Sequence, residues 1–155
     1  MNLFVYDYDG TLVECVGTYE QDKDLQKFKR DNTFFRNLFL KKLPLCNSCN
    51  NNYENGDVVV IMTAREERWW LPLVLWLKGI KYTLLIQRHK NQDMDSASLK
   101  KFLMWKLLQD NVGVSFFAKV FVDDLKSNRD SIESTFKEFI VLDANKANKG
   151  GNYET

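Results

Sequence analysis

A single histidine, His89, is all the imidazole that the 155-residue sequence offers. That scarcity removes His-rich zinc sites and makes any Ser-His-Asp triad depend on one residue. Cysteine is also sparse, with Cys15, Cys46 and Cys49 too few for a disulfide scaffold. Cys46-Asn-Ser-Cys49 has C-x-x-C spacing, but no second Cys/His pair follows to complete a zinc site. Free thiols in a reducing cytoplasm are therefore expected. Long apolar runs are missing: Trp69 to Leu77 covers only nine residues, against about 20 for a membrane span. The chain enters a strand directly after Met1-Asn2, with no basic n-region, so a secretory leader is not expected. Excess charge is missing too. The 22 Lys+Arg against 21 Asp+Glu leave a formal charge of +1, which argues against a broad duplex-coating surface but permits a local basic pocket.

Hydrophobic residues at 45% and charged residues at 28% fit a globular domain of ordinary composition. Short apolar runs alternate with helical patterns, the signature of an α/β fold. Strands are expected at residues 3–6, 58–62, 83–86, 119–122 and 139–142. The second and fourth lack polar alternation, as in a parallel sheet covered on both faces. Helices are expected from Asp22 or Asp24 through Phe39 (Leu25, Phe28, Phe35, Leu38 and Phe39 on one face), then over 66–78, 96–109 and 127–137. In the third of these Leu99, Phe102, Leu103 and Leu107 point inward, and in the fourth Ile132 and Phe136. Trp69, Leu73, Trp76 and Ile80 share helical spacing and read as core more readily than as a base-stacking platform. The apolar girth of the Trp69–Leu77 run also suits packing against a second copy of the chain. Residues 46–56, with five Asn among eleven, read as a polar loop, and 145–155 as a flexible tail. The expectation is a three-layer α/β/α sandwich with a mostly parallel, Rossmann-like sheet, one domain over 1–144 and no full cap domain.

The chemistry gathers at the expected strand ends. Asp7-Tyr8-Asp9-Gly10-Thr11-Leu12 follows the first strand, and Thr63-Ala64-Arg65 follows the second. Gln87-Arg88 follows the third, Lys100 lies early in the next helix, and Asp123-Asp124 ends the fourth. Ligands bind at the carboxyl ends of strands in open α/β sheets. Asp-x-Asp-Gly also opens calcium loops, but the twelfth position of an EF-hand in this register is Val16 instead of Glu. Taken singly, Asp123-Asp124 could cap a helix, Thr63 could be strand-end polarity, and Lys100 could be a solvated helix lysine. Their agreement in order and placement points to a phosphate-and-metal site instead.

These motifs resemble the haloacid dehalogenase superfamily of phosphohydrolases, in the family's order, over residues 3 to 130. Thr63-Ala-Arg-Glu66, Gln87-Arg88, Lys100 and Trp105-Lys106 are similar to the 3′-phosphatase domain of bacteriophage polynucleotide kinases. A G-x-x-x-x-G-K-[ST] kinase loop is absent from the sequence. The resemblance implies that Asp7 is the nucleophile and Asp9 the general acid and base. It implies a magnesium ion held by Asp7, the backbone carbonyl of Asp9, Asp123 and Asp124. Thr63, Ala64, Arg65, Arg88, Lys100 and the backbone around Gly10 would bind substrate, with Thr63 and Lys100 also serving catalysis. In this reading the metal, Lys100, Arg65 and Arg88 offset the charge of the phosphate and of three carboxylates. His89 has no acid or base role to fill. The implied activity is removal of 3′-phosphates from polynucleotide ends, with free mononucleotides as the alternative substrate. A phospho-acceptor signalling module is the alternative from another class, although its acceptor follows the third strand.

Overall fold

The computed structural model describes residues 1–15, 33–89 and 92–150. Five strands form one all-parallel sheet: β1 (Leu3–Tyr6), β2 (Val58–Glu66), β3 (Leu84–Arg88), β4 (Lys119–Asp123) and β5 (Phe139–Asp143). Their order is β3-β2-β1-β4-β5. The chain therefore grows outward from β1 on one side and then returns to β1's other edge with β4. Six helices accompany the sheet among the described residues: α1 (Phe34–Leu38), α2 (Leu45–Glu54), α3 (Leu71–Leu77), α4 (Ser96–Asp110), α5 (Lys126–Thr135) and α6 (Ala144–Gly150). Among the described residues, the connections after β1 and after β2 hold only α1, α2 and α3.

The period-2 geometry of the strands divides their apolar residues between two cores. Tyr6, Val59, Ile61 and Val122 face α2, α3 and α6, where Cys49, Val74, Leu75 and Ala147 are buried. Leu3, Val5, Val60, Met62 and Phe121 face α4 and α5, packing on Leu99, Leu103, Met104, Leu107 and Ile132. The result is the expected three-layer α/β/α sandwich. No helix among the described residues is long and apolar enough to cross a membrane.

Several local expectations are corrected. Residues 46–56, read as a loop, mostly belong to α2. Asparagine is a modest helix former, so propensity alone does not account for this helix. Side-chain ties do: Asn148 Oδ1 accepts from Leu45 N at 2.9 Å, and the Cys46 thiol donates to Leu12 O at 2.9 Å. Asn50 Nδ2 donates to Gly79 O, and Asn52 Nδ2 to the Tyr6 hydroxyl. The same Asn148 donates to Thr11 O at 3.0 Å, which holds α6 where a frayed tail was expected.

Helix α3 starts five residues later than the expected Glu66, because β2 runs on through Glu66. The register between β2 and β3 shifts between Met62 and Glu66, where Met62 pairs with Ile86 and Glu66 with Arg88. The aromatic residues expected in the core here do not all reach it. Trp69 is 86% exposed and Trp76 73%, Leu73 is also exposed, and only Ile80 of the expected core quartet is buried. Phe102, expected inward on α4, is exposed and stacks on Trp105. The helix expected from Asp22 or Asp24, with Leu25 and Phe28, lies outside the described residues. Its later positions Phe35 and Phe39 are exposed at α1.

Candidate active site

Strand β1 pairs with β4 so that Tyr6 lies opposite Val122, and Asp7 N donates to Val122 O at 2.9 Å. Asp7 and Asp123 therefore leave the sheet side by side, where the strand order reverses about β1. Crevices at such reversals are the usual ligand sites of open parallel sheets. After Asp7 the chain turns sharply: Thr11 N and Leu12 N both donate to Tyr8 O, and Gly10 N donates to Val13 O at 2.8 Å. Gly10 takes a φ of +73°, and a Cβ there would lie 2.8 Å from Asp124 Cγ. Glycine is required on both counts.

Lys100 joins the two strand ends. Asp95 caps α4 by accepting from Ser98 N at 3.2 Å, and Lys100 lies one turn further in, on the buried face beside Leu99 and Leu103. Its Nζ donates to Asp7 Oδ1 at 2.5 Å and to Asp123 Oδ2 at 2.6 Å, with the lysine essentially inaccessible to solvent. Asp123 is held further by Asn128 Nδ2 at 3.0 Å and by Leu125 N at 2.9 Å, so it also shapes the start of α5. Arg129 ties the ends of β4 and β5, donating to Asp123 O and pairing with Asp143. The Thr11 hydroxyl donates to Asp7 Oδ2 at 3.3 Å.

The electrostatics follow from crowding. Burial, then the negative charge of Asp123, push the Asp7 carboxyl well above the usual carboxylate range, against the pull of Lys100. Burial likewise pushes Asp124 up to about 6. Burial also works against the Lys100 charge, but the Asp123 and Asp7 carboxylates outweigh it and hold the ammonium protonated. One ammonium thus bridges two of three neighbouring carboxylates. Asp7, Asp123 and Asp124 each offer an oxygen within 4.8 Å of the others. Clustered hard oxygen donors with uncompensated negative charge suit a divalent cation such as magnesium. The donor set fits the metal that the motifs imply.

The remaining candidates occupy a second group. Thr63, Ala64 and Arg65 lie in the stretch of β2 where its register with β3 shifts, and bulges of this kind re-aim side chains beside active sites. Thr63 is fully buried, and its Oγ1 accepts from Arg65 N at 3.2 Å. Arg65 Nε donates to Asp9 Oδ2 at 2.6 Å, and its Nη2 pairs with Asp9 Oδ1. Its Nη1 donates to Asn37 Oδ1, and the guanidinium lies over the Tyr8 ring, 5.3 Å from the centroid. Burial opposes the Arg65 charge, and the Asp9 carboxylate more than offsets that, raising its pKa. Arg88 Nε donates to Ala64 O at 2.7 Å, and its Nη1 to the carbonyls of Gln92 and Met94. Of the three expected cations, Lys100 touches the carboxylate cluster, Arg65 holds Asp9, and Arg88 organises backbone. Sequence reasoning quoted Thr11 in the first motif without giving it a role, and missed Asn37, Asn128 and Arg129. Asn128 stands within five residues of an acidic motif and could have been found. Asn37 lies in no motif.

No family model matches the sequence, and neither does any curated protein. Solved structures do. A chain of the Pnkp1/Rnl/Hen1 complex superposes with a TM-score of 0.62 at 20% identity, over 92% of this chain and 45% of that one. This chain thus spans less than half the length of that polypeptide. An inactive mutant of the HAD domain of effector protein Lem4 from Legionella pneumophila superposes with a TM-score of 0.54 at 12% identity, over 92% of this chain and 84% of that one. A hydrolase from Streptococcus pneumoniae TIGR4 gives 0.55 at 9% identity, over 90% of both chains. Sheet order, strand-end chemistry and these superpositions agree: the chain has the fold of the haloacid dehalogenase superfamily.

Proposed function

We propose that this chain is a magnesium-dependent phosphomonoester hydrolase that works through an aspartyl-phosphate on Asp7 and removes 3′-phosphates from polynucleotide ends. The observation that carries the reading is the buried Asp7–Lys100–Asp123 bridge, with Asp124 beside it, at the carboxyl ends of adjacent parallel strands. Asp7, the Asp9 carbonyl and Asp123 would hold the metal, with Asp124 ligating directly or through water. The bound ion would shield the like charges of carboxylate and phosphate.

Lys100 and Thr11 hold the two oxygens of Asp7 and so fix its carboxylate plane. Asp7 attacks phosphorus, and the bond to the leaving oxygen breaks as Asp9 supplies that oxygen with a proton. Asp9 then accepts a proton from the water that attacks the aspartyl-phosphate, releasing phosphate and restoring Asp7. The Thr63 hydroxyl, Ala64 and the backbone N–H groups around Gly10 are assigned to the phosphoryl oxygens.

Two observations support a nucleic-acid substrate: the likeness of the Thr63–Glu66, Gln87-Arg88 and Lys100 pattern to polynucleotide phosphatases, and a structural neighbour found in an RNA repair complex. Three cysteines outside any disulfide support a reducing, cytoplasmic setting. Exposed Trp69, Leu73 and Trp76 support self-association through residues 69–77; a monomer by light scattering at micromolar concentration overturns that part. The test of function is turnover of 3′-phosphorylated oligonucleotides, 5′-phosphorylated oligonucleotides, mononucleotides and phosphopeptides with magnesium, beside an Asp7→Asn control. Preferential release from 3′-ends supports the proposal. Preference for mononucleotides reassigns the substrate, and turnover equal to the control ends the enzyme reading.

A further inference from the structure

We infer that Asn37 is a positioning residue for Asp9, acting through Arg65; the inference rests on the phosphohydrolase reading above. Asn37 is fully buried on α1, a helix of five residues, where an asparagine contributes little to helix formation. A buried amide is costly unless its polar atoms are satisfied, and here both ends are engaged. Its Nδ2 donates to Thr33 O at 2.7 Å, which fixes the amide's orientation and turns Oδ1 onto Arg65 Nη1. The anchor is itself ordered, because Thr33 caps α1 by accepting from Arg36 N at 3.3 Å.

Arg65 receives this hold at one end of its guanidinium and delivers it at the other. Nε and Nη2 take the two oxygens of Asp9, so a turn of the guanidinium plane turns the carboxylate plane with it. Arg65 sits where the β2–β3 register shifts, so the strand ladder alone does not set its side chain. Asn37 and the Tyr8 ring do. Proton transfer demands such control, because donor and acceptor must approach within about 2.6–3.2 Å. A misplacement of about 1 Å can cost on the order of 100-fold in rate.

The chemistry supplies a selective test. When Asp9 acts as acid, its O–H proton passes to the leaving oxygen as the P–O bond breaks, and Asp9 is left as carboxylate. The alkoxide of a 3′-phosphorylated oligonucleotide needs that proton, whereas p-nitrophenolate departs without it. Asn37→Ala should therefore lower kcat on the oligonucleotide on the order of tenfold more than on p-nitrophenyl phosphate, with KM unchanged on both. The ratio of the two rates cancels any loss of active protein. Asn37→Ser provides the same ratio if the alanine variant yields no folded protein. Asn37→Asp removes the donor to Thr33 O and sets a second carboxylate against Arg65, so it should not return the ratio to the wild-type value. Equal losses on both esters, a change confined to KM, or a full return of the ratio with aspartate overturns the inference while leaving the phosphohydrolase reading intact. A wild-type chain inactive on both esters overturns both.

Discussion

Gly10 and Asp124 approach so closely that no side chain fits between them. A Cβ on Gly10 would stand 2.8 Å from Asp124 Cγ, and the +73° φ of Gly10 disfavours any other residue. The turn after β1 and the acidic end of β4 are thus fitted to each other through an absent methyl group. Gly10→Ala should cost about 1–3 kcal/mol for the left-handed backbone, with a further loss as Asp124 is displaced. It should also weaken the rise in melting temperature on adding magnesium. Denaturant unfolding and thermal melts with and without the metal measure both effects.

Lys100 is the counter-ion that two buried carboxylates share. Breaking a buried pair by removing one partner strands the other charge, at about 3–5 kcal/mol. Lys100→Met should destabilise the metal-free protein by that order near neutral pH. The loss should shrink as the pH falls and the stranded carboxylates take up protons. Urea unfolding across pH checks it; a pH-independent loss would contradict the ion-pair account.

The acidic cluster also sets how stability varies with pH in metal-free protein. Asp124 moves from an ordinary value of 3.8 up to about 6 on folding, and Asp7 shifts in the same direction. Between those values the folded state binds more protons than the unfolded one, so stability falls as pH rises through that window. The melting temperature of the metal-free chain should drop between about pH 4 and pH 7. Added magnesium should raise it more at about pH 7.5 than at about pH 5, because the ligands must be deprotonated.

Thiol chemistry separates the three cysteines. Cys15 is exposed, whereas Cys46 and Cys49 are buried. Burial pushes the Cys46 thiol up to about 11 and the Cys49 thiol up to about 12. A thiol reagent should titrate Cys15 alone in the native protein and all three in denaturant. Rapid native labelling of Cys46 or Cys49 would show that α2 opens from the sheet.

The sheet was legible because its strands are continuous apolar runs, and the cluster because Asp7 and Asp123 sit at or just after a run's end and Lys100 early in a helix. What escaped depended on distant partners. Helix α2 is Asn-rich and owes its form to Asn148, Leu12 and Gly79, none of them within its own stretch. The hydrophobicity of Trp69 and Trp76 gave no clue to their exposure. The partners of Arg65 were not legible, because charge has no direction in a sequence. Its bonds to Asp9 and Asn37 supply that direction.

The pairing of β1 with β4 has an evolutionary consequence. Asp7 and Asp123 are spaced by a backbone ladder common to all parallel sheets, whereas α1, α2 and the register shift in β2 belong to intervening segments. Those segments can lengthen, shorten or change composition without altering the interval between the two carboxylates. The spacing of the two carboxylates is thus insulated from change in those segments, whereas the hold on Asp9, which runs through α1 and the β2 shift, is not.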